Sequence, residues 1–239
     1  MLGVAVLLAV GGSLPGGETL VLSLGSGVCG AFGLLALYRA LSIGVMSIAA
    51  PISALAAVVP FAWGIATGER PGTLQLVGCA AALGGALMAA REPSHAPVSR
   101  QRFRESVLLA LTSAVLLGFA LVLLGKAASG GAMPVIVANR IASSAIIVPL
   151  AIGLGQLPRA SASGLLPPIA VGLFDTAANV LYILAFNEGG PMAMIGVLAS
   201  LYPITTVLCA RGFLGERLER HQAAGVVVAL AGVAMVAAG

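Results

Sequence analysis

A chain of 239 residues that is 59% hydrophobic and only 8% charged cannot coat a water-soluble domain, which carries about 25% charged residues. Its mean hydropathy is +1.09. The net charge of +4 comes from basic residues at the ends of apolar runs, which excludes the basic face that nucleic-acid binding needs.

Apolar runs that stop at charges, Pro or Gly clusters mark the predicted membrane segments in chain order. A partial segment covers about 2–12 and ends in Gly11-Gly12-Ser13-Leu14-Pro15-Gly16-Gly17. Full-length segments follow at about 19–41, 45–67 and 73–90. The stretch 91–105, with Arg91, Arg100, Arg102 and Arg104, reads as a basic linker. Beyond it lie segments at about 106–125, 132–154, 164–187, 190–212 and 221–238. About nine transmembrane segments result, the first one partial, and the lipid bilayer is their solvent. The runs lack the alternation of membrane strands, and helices satisfy their own backbone in lipid, so the fold class is all-α. Cys29, Cys79 and Cys209 stand singly in apolar runs, and His95 and His221 are far apart. Neither a disulfide framework nor a metal site is indicated, and no cofactor is expected.

The chain repeats itself. Residues 68–90 align without a gap on residues 215–237, with ten identities in 23 positions. They include Gly68-Glu69-Arg70 with Gly215-Glu216-Arg217, Gln75 with Gln222, Gly78 with Gly225 and Gly85 with Gly232. Upstream, Tyr38 pairs with Tyr182 after a small length adjustment. The expected organisation is a first repeat at 1–90, the linker at 91–105 and a second repeat at 106–239. An odd number of spans per repeat makes the two insert with opposite orientation. Inverted-topology repeats recur in secondary transporters, whose substrate sites lie at the repeat interface.

These residues resemble the EamA-type repeat of the drug/metabolite transporter superfamily. The second copy carries the pattern in Tyr182, Pro203, Gly215-Glu216-Arg217, Gln222, Gly225 and Gly232. The first copy has Ala56 where the second has Pro203. The resemblance implies ten spans in two five-helix halves and the transport of small metabolites or drug-like compounds. Arg140 matches an arginine that the family carries early in its second and seventh spans. Its first-half counterpart would lie about four residues before Met1, so the first helix of the first repeat is expected to be missing. The positive-inside rule puts the linker in the cytoplasm, with nine of the twelve basic residues on its side, whereas the resemblance implies the reverse.

Charged groups inside spans cost about 2.5–3.5 kcal/mol on insertion scales, so each needs a reason. Asp175, Asn179 and Tyr182 follow at helical spacing and form one polar stripe in a predicted span. In one reading Asp175 binds a substrate amine or a coupling proton, and Asn179 and Tyr182 supply hydrogen bonds. In the other, Arg140 and Asp175, about 6 Å apart in depth, lock two helices together. Tyr38 occupies the place of Tyr182 in the first half, and Arg39 beside it reaches for the interface. The two Gly-Glu-Arg turns are structural, with Gly ending one helix and Glu favouring the N-terminus of the next. No paired His, Ser–His or carboxylate cluster argues for an enzyme. The function expected is a secondary transporter working by alternating access in the cell membrane, on a small-molecule substrate and with a coupling ion or proton. The alternative is a non-transporting membrane partner or assembly subunit.

Overall fold

A computed structural model describes residues 14–43, 52–89, 99–155, 162–199, 201 and 219–238, and among these every element is helical. The helices are α1 (Gly17–Ser42), α2 (Val58–Ala66), α3 (Thr73–Ala89), α4 (Arg100–Lys126), α5 (Ala132–Gly153), α6 (Ala162–Asn187), α7 (Met192–Ala199) and α8 (Arg220–Ala238). Short 3₁₀ turns stand at Leu55–Ala57 and Ala128–Gly130. Of the described residues, α1, α4, α5 and Ile169–Asn187 of α6 are long and apolar enough to cross a membrane. Ile52–Ala66, α3 and Arg220–Val236 are apolar but shorter. The expected partial segment at 2–12 lies outside the described residues, as does most of the expected segment at 190–212 beyond residue 199.

Two elements differ from expectation for local reasons. Helix α4 begins at Arg100, inside the stretch read as linker. The Ser99 side chain accepts from Arg102 N at 3.4 Å, and Ser99 O accepts from Phe103 N at 3.0 Å. A serine at this position satisfies donors that a helix start leaves open, and the following charged residues are good helix formers. The run expected at 45–67 is broken by the 3₁₀ turn at Leu55–Ala57. Pro60 has no N–H for the carbonyl four residues earlier, so Ala56 O is released from the α-helical pattern. A Cβ on Gly118 of α4 would lie 2.5 Å from that oxygen.

The chain packs into two compact units, each drawn from both halves of the sequence. One comprises Met1–Ala31 and Leu123–Gly190, the other Phe32–Val122 and Pro191–Gly239. In the second unit, α3 and α8 run antiparallel with their backbones in near contact. A Cβ on Gly78 would sit 2.8 Å from Gly232 O, and one on Gly232 would sit 2.5 Å from Gly78 O. Likewise a Cβ on Gly85 would meet Gly225 O at 2.5 Å, and one on Gly225 would meet Gly85 O at 2.7 Å. Ala82 and Ala229 fill the steps between and are fully buried. Small residues let helices approach closely where lipid supplies no hydrophobic drive for association. Around the seam, Cys79, Ala82 and Val236 pack with Met194 and Val197 of α7, flanked by Phe61, Leu83 and Leu201.

The repeated motifs have repeated roles. Gln75 Oε1 accepts from Gly72 N at 2.8 Å, and Gln222 Oε1 accepts from Glu219 N at 3.1 Å. Each glutamine reaches back over the first turn of its own helix, as the third residue of a capping box does. Gly68 ends the preceding helix with φ of 101°. Glu69 departs from expectation. Its carboxylate accepts from Met192 N at 2.6 Å and Ala193 N at 2.9 Å, so it serves α7 and not the helix that follows it. The neighbouring helix start is already served by Gln75, which leaves the glutamate free to reach elsewhere. Hydrogen bonds to a charged acceptor contribute about 1.5–3 kcal/mol each. Glu216, its repeat counterpart, lies outside the described residues.

The seam yields a controlled comparison. Gly78→Ala and Gly225→Ala should each destabilise the protein by about 1–3 kcal/mol in detergent unfolding, because neither backbone has room for a methyl group. Gly84, with nothing within 4 Å of a Cβ, is the control: Gly84→Ala should be neutral or gain roughly 0.5–1 kcal/mol from helix propensity.

Candidate functional site

The polar residues of the first unit gather where α5 faces α1 and α6. Gly27 makes the first approach possible: a Cβ there would lie 2.9 Å from Ala142 Cβ and press on the Asn139 carbonyl. With the helices this close, Asn139 Nδ2 donates to Ser26 Oγ at 3.1 Å, and Ser26 is buried. Ser23, one turn earlier, donates to Thr19 O at 2.7 Å within its own helix. Buried hydroxyls and amides are held this way because an unmet polar group in an apolar surround costs about 1–3 kcal/mol.

The next residue of α5, Arg140, points to α6, where its Nη2 pairs with Asp175 Oδ2. Arg140 stands eight residues into α5, about 12 Å along the helix, and Asp175 is twelve residues before the end of α6. Both groups are therefore well inside their helices. The pair is not sealed in protein: the side chains are 34% and 53% exposed. Arg140 Nε is buried without a hydrogen-bond partner, so the guanidinium keeps an unused donor. An arginine offers five N–H groups in a rigid fork, and this one commits only part of that capacity to Asp175.

Asn179 and Tyr182 follow Asp175 one and two turns further along α6. Asn179 Nδ2 donates to Asp175 O at 2.8 Å, so its amide is bonded to its own helix. Tyr182 is buried at 6% exposure and meets Phe186 edge-on, with centroids 5.1 Å apart at 62°. The Phe186 ring in turn lies against Gly125, where a Cβ would come within 2.6 Å. Tyr38 belongs to the second unit and is 65% exposed, so it does not share the buried setting of Tyr182. Arg39 Nη2 lies 3.9 Å from Glu105 Oε1 at the start of α4, with both side chains largely exposed. Such a pair contributes about 0–1 kcal/mol. Among the described residues no group of three His, Cys, Asp or Glu could hold a metal ion.

Sequence reasoning missed Ser26. The signal was there, since Thr19, Ser23 and Ser26 recur at helical spacing on one face of an otherwise apolar run. The Arg140–Asp175 pair predicts non-additive behaviour. Arg140→Gln and Asp175→Asn should each lower stability, while the double variant recovers part of the loss. A coupling of about 1–3 kcal/mol in a double-mutant cycle is expected, and additive effects would mean that the two do not interact.

Comparison with known proteins places this architecture. No curated protein matches the chain. A solved crystal structure of a protein superposes with a TM-score of 0.74 at 20% identity, covering 98% of this chain and 83% of that one, which establishes a shared fold. The family model of EamA-like transporters matches residues 104–238, more than half of the sequence. The chain is an integral membrane protein and belongs to the EamA-like transporter family.

Proposed function

We propose that the protein is a secondary transporter of the cell membrane, moving a small metabolite or drug-like compound by alternating access. Family membership supports a transport role, and the observation that carries the site is the Arg140–Asp175 pair. Two opposite charges stand inside apolar helices, yet neither is closed off by protein. Ionisable residues at such depth usually face a water-filled path. A substrate with a cationic group competes with Arg140 for Asp175, whose side chain is 53% exposed. A coupling proton or ion acts at the same carboxylate, by freeing Arg140. Asn179, bonded to the Asp175 backbone, positions this turn of α6, and Tyr182, two turns on from Asp175, belongs to the same proposed set.

Alternating access follows from two repeats of inverted topology, ten spans being the family's complement. The α3–α8 seam supports the inverted arrangement. Aligning the repeats exchanges Gly78 with Gly225 and Gly85 with Gly232. That exchange converts the contact of Gly78 with Gly232 into the contact of Gly85 with Gly225, and both contacts are present. A half-turn about an axis between the helices has this property.

The test is a growth screen of a deletion strain across toxins and metabolites, complemented with the native or the variant gene. Native protein should restore tolerance or use of at least one compound. Asp175→Asn should lower the corresponding flux, measured per molecule present in the membrane, by about tenfold or more, as loss of one charged contact predicts. Full activity in Asp175→Asn would remove the carboxylate from the site.

A further inference from the structure

We propose that Glu69 is a latch that holds the start of α7 against the end of α2, and that its release is a step of the transport cycle. The proposal rests on the transport reading but on none of the residues of the Arg140–Asp175 site.

Helix α7 cannot cap itself. The residue before it is Pro191, which has no side-chain acceptor, and both oxygens of Glu69 fill the gap at 2.6 and 2.9 Å. In α3 and α8 the corresponding service comes from Gln75 and Gln222 in the helix's own first turn. A local cap stays in place when helices move, because donor and acceptor travel together. A cap borrowed from a turn 123 residues away breaks whenever the two segments part. The difference marks α7 as the helix whose start is held by something that can let go.

The surroundings are shaped for this contact. Gly68, at φ 101°, turns the chain so that Glu69 folds back along α2, and Glu69 N donates to Gly64 O at 3.0 Å. Gly64 is a cut-out: a Cβ there would lie 2.8 Å from the Glu69 carboxyl carbon and 2.8 Å from Ala193 N. Further along, Gly196 of α7 receives the Pro60 ring, where a Cβ would come within 2.6 Å of Pro60 Cβ. The apolar contact at Pro60 and Gly196 therefore lies one turn from the polar contact at Glu69. The 3₁₀ turn at Leu55–Ala57 sits just beyond it, and such irregularities often serve as hinges. Thr67, Gly68, Arg70 and Pro191 around the latch are exposed. Once released, the N–H groups of Met192 and Ala193 can be taken up by water, so opening is reversible.

The measurement needs no substrate. Spin labels on Arg70→Cys and Pro191→Cys, in a full chain whose native cysteines are replaced, report the distance across the latch in proteoliposomes. The native background should show a dominant short distance and a minor longer one. Glu69→Gln keeps one acceptor oxygen but turns an N–H toward the second donor, and should raise the long-to-short ratio by about tenfold. Glu69→Asp, one methylene too short to span both donors, should act in the same direction. One native distance, unchanged in Glu69→Gln, would reduce Glu69 to a fixed cap and overturn the latch. If the variants fail to reach the membrane, the native distribution decides alone, two distances supporting the latch and one overturning it. Two distances in a protein that moves no compound would leave the latch standing and sink only the transport reading.

Discussion

Hydrocarbon neither hydrates a polar group nor drives one apolar helix onto another, and the helix contacts among the described residues answer to that constraint. Helices must hold together by fit, and fit at the backbone level requires residues without side chains. Gly78, Gly85, Gly225 and Gly232 meet this need in α3 and α8, as Gly27 does between α1 and α5. Composition follows from it: 32 glycines in 239 residues would weaken a soluble helical protein, but here many of them are contact surface.

The same constraint sorts the polar residues. Ser26 and Asn139 close on each other, Ser23 turns to its own backbone, and Asn179 does likewise. These bonds use up hydrogen-bonding capacity and stiffen the helices. Arg140 and Asp175 are paired but stay partly exposed. An ion pair this far inside apolar helices is costly unless each charge meets the other.

Much of the fold was legible because the period and ends of apolar runs are local properties. The predicted segments at 73–90, 132–154 and 221–238 agree with α3, α5 and α8 to within about a residue or two at each end. The early start of α4 was hidden because arginines on an apolar background look like a linker, although their helix propensity is good. The Arg140–Asp175 pair could be found by comparing depths, since opposite charges within apolar spans have few alternatives. The partner of Glu69 could not. Gly-Glu-Arg announces a turn, but which helix start receives the carboxylate depends on how distant segments pack, and no local pattern encodes it. Repetition showed that Gln75 and Gln222 matter, while their capping role emerged only from the placed side chains.

The way α3 meets α8 has a consequence for origin. The partner of each glycine is the repeat counterpart of the residue that its own counterpart meets, so the surface is complementary to itself. A half-length ancestor bearing this surface would need no second gene to form it.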